Sequence, residues 1–315
     1  MDDPKPFSPP ERGLEALEAQ PLLTANLEPG LAGRIFEGPN GIRAGWRLLI
    51  FLVLTALLAL ALLTLISPLL RKVNFPGVLT GEGAVFLAAL AASLVMGRIE
   101  KRSLAAYGLP LRGAFGAQFW FGAFWGFAAL TALLAAIHLG HGFDFGSMAL
   151  SGRSLVSYAA LWGVTFLAVG FAEEYLFRGY PLATLSTGMG FWPAAILLSA
   201  LFGAVHIRNA GEDWRGALAA ALIGLFFCLT LRRTGSLWFA IGLHAGWDYS
   251  ESFIYSVPDS GAMIPGHLVN SSFHGPAWLT GGSVGPEGSA LVFAVVGGLF
   301  LIFSLTHGET RFRPI

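Results

Sequence analysis

Long apolar runs separated by short polar segments make up most of the chain. Residues 48–66 and 114–137 contain no Asp, Glu, Lys or Arg, and each run is long enough to cross a hydrocarbon core of about 30 Å as a helix. The runs are continuously apolar and do not alternate with a period of two, which argues against barrel strands. Apolar runs occur near residues 46–66, 82–97, 114–137, 155–177, 190–206, 216–231, 236–255 and 289–306. The pattern therefore predicts an all-α fold, a polytopic transmembrane bundle of about eight helices.

Composition supports a membrane protein rather than an apolar soluble enzyme. Of the 315 residues, 55% are hydrophobic and 12% are charged, whereas a typical soluble domain has about 25% charged residues. The formal net charge is zero, which gives no basis for nucleic-acid binding. Cys228 is the only cysteine, so disulfides and cysteine-based metal sites are excluded. We expect an integral multi-pass protein of the plasma membrane, surrounded by the lipid bilayer.

The runs are expected to form one bundle over residues 46–306, because no long polar linker divides them. Residues 1–45 are rich in Pro, Gly and acids and are expected to form a loosely ordered cytoplasmic tail, with a short helix over 15–23. A basic n-region and a short apolar h-region are missing, so we expect the first span to remain as an anchor. Residues 307–315 are expected to form a short second cytoplasmic tail.

The distribution of Lys and Arg predicts the orientation of the bundle. With eight spans and a cytoplasmic N-terminus, fourteen of the nineteen basic residues fall on the cytoplasmic side. The opposite side carries Arg71, Lys72, Arg153, Arg208 and Arg215. The longest late loop, residues 250–288, contains no Lys or Arg. Both termini are therefore predicted to be cytoplasmic.

Ionisable residues are concentrated in three short clusters within the later apolar runs. The clusters contain Glu173, Glu174, Arg178, His206, His244 and Asp248. A charged group at mid-bilayer costs roughly 2.5–3.5 kcal/mol, so the three carboxylates and the arginine would cost on the order of 10 kcal/mol if they were unpaired. We therefore expect these side chains to face one another in the bundle interior or a wet cavity.

The spacing of these residues predicts which of them share a helix face. Three i,i+4 pairs lie about one turn apart: Glu174 and Arg178, Phe202 and His206, and His244 and Asp248. Glu173 and Glu174 instead point about 100° apart on a helix. One of them is expected to meet a reacting water, while the other pairs with Arg178 or a neighbouring helix.

Two imidazoles and several carboxylates in an apolar enclosure suit two kinds of chemistry. His206, His244, Asp248 and Glu173 could hold a divalent metal, with zinc the expected ion, and leave a position for water. Alternatively, a buried glutamate takes the proton from water while the imidazoles orient a carbonyl or stabilise its oxyanion. The spacing leaves both open, and the zinc-peptidase pattern HExxH is absent. A purely structural alternative is that buried ion pairs only fix helix packing.

The three clusters together resemble the motifs of a known family. Glu173-Glu174-x-x-x-Arg178, Phe202-x-x-x-His206 and His244-x-x-x-Asp248 are similar, in this order and on successive apolar runs, to those of the CAAX protease and bacteriocin-processing (Rce1-type) intramembrane proteases. The resemblance covers residues 173–248 and implies a protease core at about 155–255. It also implies a peptide or prenylated protein substrate.

The resemblance also implies a role for each matched residue. Glu173 corresponds to the glutamate that activates water and Glu174 to its paired acid, while Arg178 is expected to be structural or to orient the substrate. His206 and His244 correspond to the two essential histidines. Asp248 occupies a position that is Asn or Asp in the family. Because a carboxylate accepts hydrogen bonds, Asp248 favours a metal-binding or histidine-orienting role over an oxyanion donor.

These features predict an intramembrane endopeptidase that acts within the bilayer or at its cytoplasmic edge. Two alternatives stay open: a proton- or ion-coupled transporter, and a non-catalytic membrane scaffold or immunity protein. Glu251 is expected to be an interfacial carboxylate rather than a ligand.

One geometric condition follows from the depths of the clusters. Glu173 lies near the end of its run, whereas His206 comes about fifteen residues into the next. For the two side chains to meet, we expect the fourth helix to continue past Arg178 towards Leu185, or the fifth to begin shallow or tilted.

Overall fold

A computed structural model describes residues 1–3, 35–38, 41–72 and 76–312. The chain divides into two compact units, Met1–Gly41 and Ile42–Ile315. The first unit contains strand β1, Glu37–Gly38, and the division falls within strand β2, Gly41–Ile42. The tail helix expected over 15–23 lies outside the described residues, as does most of the expected tail.

The second unit is a bundle of apolar helices, with one helix on each of the predicted runs. The helices are α1 (Ala44–Lys72), α2 (Gly77–Glu100), α3 (Ala117–Leu139), α4 (Gly152–Arg178), α5 (Tyr180–Met189), α6 (Phe191–His206), α7 (Trp214–Thr234), α8 (Trp238–Asp248), α9 (Ala277–Thr280) and α10 (Val292–Thr306). A π-helical turn, Tyr249–Ile254, continues α8, and 3-10 turns occur at Leu104–Tyr107 and Pro286–Gly288. The predicted all-α transmembrane bundle is confirmed.

Length and composition distinguish the helices that can cross a membrane alone. Among the described residues, five segments qualify: Ala44–Leu70, Gly77–Glu100, Ala117–Leu139, Gly152–Met189 and Trp214–Thr234. Helices α6 and α10 are equally apolar but shorter. The chain is therefore an integral membrane protein, with its shorter helices packed among the longer ones.

The fourth apolar segment continues past Arg178. This is one of the two arrangements expected to let the side chains of Glu173 and His206 meet. Helix α4 ends there, Gly179 interrupts the helix, and α5 continues to Met189. Pro181 lies in the first turn of α5, where a missing N–H costs no intrahelical hydrogen bond. The whole apolar segment is 38 residues long, so Glu173 lies near its middle rather than at its end.

Helices α3 and α8 approach each other closely through glycines on both helices. A Cβ atom on Gly122 would lie 2.2 Å from the Phe239 carbonyl oxygen, and one on Gly242 would lie 2.1 Å from the Phe119 carbonyl oxygen. Such spacing is impossible for real atoms, so the contact requires glycine on each side. This close crossing holds α8, and with it His244, against the bundle.

Three segments at one end of the bundle form what we call the loop face, residues 140–151, 207–213 and 255–291. Strand β3, Phe143–Asp144, pairs antiparallel with β4, Ser272–Phe273. The Ser283 hydroxyl donates to the Gly211 carbonyl oxygen over 2.9 Å and joins the other two segments. Helix α1 begins at the opposite end, where its Arg47 contacts Glu100 at the end of α2 over 3.5 Å.

Candidate active site

The six predicted site residues converge from three helices. Helix α4 supplies Glu173, Glu174 and Arg178, α6 supplies His206, and α8 supplies His244 and Asp248. Glu173, His206, His244 and Asp248 line a cavity of about 390 Å³, whereas Glu174 and Arg178 lie behind its wall. Residues of the loop face, including Asn209 and Ser260, line one end of this cavity.

Glu174 is the centre of a buried network behind the cavity. Its Oε1 accepts from Arg178 Nη1 over 3.1 Å and from His244 Nδ1 over 2.9 Å. The side chains of Glu174 and Arg178 are both fully buried. Glu174 is therefore shielded from any molecule in the cavity and fixes the orientation of the His244 ring.

Arg178 is enclosed by aromatic rings and fits only because α7 carries a glycine beside it. The guanidinium carbon lies 4.1 Å from the centre of the Phe202 ring and 5.6 Å from that of Phe227, which are cation–π distances. A Cβ atom on Gly224 would lie 2.2 Å from Arg178 Nη2. Phe202 thus packs between the arginine and the cavity.

Glu173 differs from Glu174 in its access to the cavity. Its side chain is 25% exposed, and its Oε2 lies 3.9 Å from His206 Nε2 and 3.7 Å from His244 Nε2. This oxygen is itself buried and has no hydrogen-bond partner among the described residues. The carboxylate oxygen and the two Nε2 atoms therefore lie around one space, in which a small polar molecule such as water could contact all three.

The hydrogen bonds of the two histidines decide which ring nitrogens face the cavity. His206 Nδ1 lies 2.8 Å from the Phe202 carbonyl oxygen, and His244 Nδ1 lies 2.9 Å from Glu174 Oε1. Because both partners only accept, each Nδ1 carries the proton and donates. In the neutral imidazoles, both Nε2 atoms therefore present lone pairs to the cavity.

Asp248 completes the group on α8, one turn after His244. Its Oδ2 lies 3.4 Å from His244 Nε2, and the residue is 6% exposed. Two acceptors held this close repel each other unless a proton, a water or a cation lies between them. Asp248 therefore places a second carboxyl group, besides that of Glu173, near His244 Nε2.

The predicted metal ligands fit a metal in their donor types and orientation. Around a tetrahedral zinc with bonds of about 2.0–2.1 Å, neighbouring ligand atoms are about 3.4 Å apart. Three pairs among Glu173, His206, His244 and Asp248 measure 3.4, 3.7 and 3.9 Å. Among the described residues, however, no three of these four offer ligand atoms that all lie within 4.8 Å of one another, so the side chains would have to move closer together to surround one ion. The Nδ1–H of each histidine also donates a hydrogen bond to an oxygen acceptor, as the second ring nitrogen of metal-bound histidines commonly does.

A more compact group of possible ligands lies elsewhere. Among the described residues, Glu251, Asp259 and Glu287 are the group of three whose ligand atoms all lie within 4.8 Å of one another. These carboxylates could hold a metal ion. Burial and the adjacent Glu287 carboxylate raise the pKa of the Asp259 carboxyl well above its ordinary range. Glu251, expected to be an interfacial carboxylate rather than a ligand, is fully buried within the protein and belongs to this group.

Several acidic residues of this cavity were not predicted as site residues. Glu82 of α2 lines it together with Asp259 and Glu287. In the sequence, Glu82 could have been recognised as a carboxylate at the start of an otherwise apolar run. Asp259 and Glu287 could have been recognised because the charged residues of the segment 250–288 are all acidic.

Comparison with known protein families finds a match for one segment of the chain. Residues 154–250 match the family model described as Rce1-like, type II CAAX prenyl endopeptidase, which confirms the resemblance inferred from the three motifs. The matched segment contains all six predicted site residues. No curated protein and no solved structure matches the chain.

Proposed function

We propose that this protein is an intramembrane endopeptidase that hydrolyses a peptide bond with glutamate-activated water. The proposal is supported by the match of residues 154–250 to the Rce1-like, type II CAAX prenyl endopeptidase model. One observation carries the proposal: the unpartnered Glu173 Oε2 faces both His206 Nε2 and His244 Nε2 within the cavity. The catalytic core comprises residues 155–255 of a bundle over 46–306.

Glu173 acts as the general base. It is the glutamate with access to the cavity, and its free oxygen accepts the proton of a water held between it and the imidazoles. The water oxygen then attacks the peptide carbonyl, and Glu173 passes its proton to the leaving amine. Glu174 takes no part in this transfer, because it is fully buried and already accepts from Arg178 and His244.

Glu174 and Arg178 act by positioning. Arg178 compensates the charge of Glu174, and Glu174 accepts a hydrogen bond from the Nδ1–H of His244. The Phe202 carbonyl oxygen does the same for His206. These bonds fix the tautomer and direction of both rings before a substrate arrives.

The orientation of the lone pairs favours a metal-assisted form of the reaction. A neutral imidazole whose Nδ1 donates has no second proton to give to an oxyanion. In the metal-assisted form His206, His244 and Asp248 would hold zinc, which would supply Lewis-acid activation of water and carbonyl, and Glu173 would stay free to act as the base. In the metal-free form, at least one imidazole must be doubly protonated.

The position of the cavity constrains the side from which a substrate enters. Its loop-lined end lies at the loop face, and α1 begins at the other end. A cytoplasmic N-terminus and a cavity at the cytoplasmic edge are therefore incompatible. Because most of the Lys and Arg residues that the structure describes lie at the end where α1 begins, we retain the cytoplasmic N-terminus. The substrate then enters from the non-cytoplasmic side of the plasma membrane or laterally from the bilayer.

Cysteine labelling tests this orientation. Ser103 and Ser147 are both exposed and lie at opposite ends of the bundle, and Cys228 is buried. In a Cys228→Ser background, Ser147→Cys should react with an impermeant maleimide on intact cells. Its matched control, Ser103→Cys, should react only after permeabilisation. The reverse pattern would place the loop face in the cytoplasm.

Cleavage by the purified protein tests the proposed activity. Wild type in liposomes is incubated with a prenylated CAAX peptide, its unprenylated form and a membrane-spanning peptide, and mass spectrometry identifies new termini. We expect at least one peptide to be cut, with cleavage lost in His244→Ala. His274→Ala is the matched control, because His274 is about half exposed and pairs with Asp144 on the loop face. Equal cleavage by both variants would reject the site.

A further inference from the structure

The carboxylates of Glu251, Asp259 and Glu287 come from three separate segments. Glu251 lies on the π-helical turn after α8, Asp259 follows in the loop, and Glu287 lies on the 3-10 turn before α10. They are also the only charged residues of the segment 250–288. No described Lys or Arg forms an ion pair with any of them. Three like charges are thus gathered without a protein cation.

Hydrogen bonds hold one oxygen of each carboxylate. Glu251 Oε2 accepts from Trp247 Nε1 over 2.8 Å, and Asp259 Oδ2 accepts from the Ser252 hydroxyl over 3.2 Å. Glu287 Oε2 accepts from the hydroxyl and the backbone N–H of Ser260 over 2.8 and 3.2 Å. The second oxygen of each carboxylate remains for another partner.

Glu251 provides an independent sign that a ligand is needed here. Its side chain is fully buried, and its Oε1 has no hydrogen-bond partner in the part of the chain that the structure describes. A buried carboxylate oxygen without a donor has lost its hydration without compensation, and this cost is largest for a charged group. A cation bound by this oxygen would remove both that cost and the repulsion from the other two acids.

The donor atoms and their spacing indicate the class of ion. Carboxylate oxygens alone suit hard cations, whereas zinc prefers nitrogen and sulfur ligands. Calcium binds oxygen at about 2.3–2.6 Å, so ligands on opposite sides of the ion are about 4.6–5.2 Å apart. The three ligand atoms lie within 4.8 Å of one another, so a point between them lies within about 2.8 Å of each, close to the calcium–oxygen distance.

We propose that Glu251, Asp259 and Glu287 bind a hard divalent cation, Ca²⁺, at a second site distinct from the His206 and His244 centre. The ion joins the turn after α8 to the loop and to the start of α10. Because Asp259 and Glu287 also line the cavity, the ion stabilises the cavity wall. This site goes beyond the proposed peptidase activity and does not depend on it.

Terbium luminescence tests the site without measuring activity. Tb³⁺ replaces Ca²⁺ at oxygen sites, and Trp247, whose indole N–H contacts Glu251, is placed to sensitise its emission. We expect detergent-purified wild type to give sensitised emission that excess Ca²⁺ displaces. Asp259→Asn and Glu287→Gln should each weaken Ca²⁺ binding at least tenfold. Asp144→Asn, an exposed acid on the same face, should leave binding unchanged.

Two further measurements separate loss of the site from loss of the fold and from failure of the proposed peptidase. In EDTA, Asp259→Asn should melt no lower than wild type, since neutralisation removes a repulsion, but Ca²⁺ should no longer raise its melting temperature. Ca²⁺ binding should persist in a His206→Ala, His244→Ala variant. Undiminished binding in Asp259→Asn, or no binding by wild type at millimolar Ca²⁺, would overturn the proposal.

Discussion

Replacing Glu173 by Gln is expected to lower the rate constant of peptide cleavage by about 10²–10⁴-fold, the usual contribution of a general base. The amide keeps the size of the side chain, but neither its oxygen nor its nitrogen is basic enough to take a proton from water. Glu173 is partly exposed to the cavity and has a free oxygen, so the substitution removes no contact that holds the helices together. The melting temperature should therefore stay near that of wild type.

The matched control for Glu173→Gln is Glu309→Gln. Glu309 is a highly exposed glutamate that pairs with Arg311 outside the site, and its neutralisation should leave the rate unchanged. Rates are measured by mass spectrometry on the peptide that wild type cuts. A Glu173→Gln variant that retains more than about a tenth of the wild-type rate would exclude this residue as the base.

Replacing Arg178 by Met is expected to lower the free energy of unfolding by about 3–5 kcal/mol, the usual effect of removing one partner of a buried ion pair. Arg178 and Glu174 are both fully buried, so the variant leaves a carboxylate in an apolar site with only His244 beside it. The free energy is measured by denaturant titration in mixed micelles. Cleavage should also fall, since Glu174 then no longer holds His244 in place.

Two variants show whether the effect of Arg178→Met comes from the uncompensated charge. Arg311→Met removes an arginine from a largely exposed pair, where the expected change is about 0–1 kcal/mol. The double variant Glu174→Gln, Arg178→Met should recover part of the lost stability, because no charge remains buried. A double variant as unstable as the sum of the two single ones would contradict this explanation.

The helices and the main polar clusters were predictable because they depend on local periodicity. Eight apolar runs of helical length have few alternatives in a membrane, and i,i+4 spacing placed Glu174 beside Arg178 and His244 beside Asp248. The same periodicity separated the directions of Glu173 and Glu174. It could not tell which of them faces the cavity, since that depends on how α4 rotates against α6 and α8.

Contacts between distant segments were not predictable. Glu251, Asp259 and Glu287 meet because the loop after α8 folds back against the turn before α10, and no local pattern specifies that path. Gly179 interrupts a helix that hydropathy alone reads as one continuous span. The cytoplasmic-edge expectation also treated Glu173 as near a helix end, whereas the apolar segment continues to Met189.

The origin of the oxygen in the cleaved peptide tests the central claim most directly. Purified wild type is allowed to cut its peptide in water enriched in ¹⁸O, and the mass of the new carboxyl terminus is measured after a single turnover. Hydrolysis by Glu173-activated water predicts one ¹⁸O atom in that carboxylate and no comparable product from Glu173→Gln. Unlabelled product from wild type, or labelled product formed equally fast by Glu173→Gln, would contradict the claim.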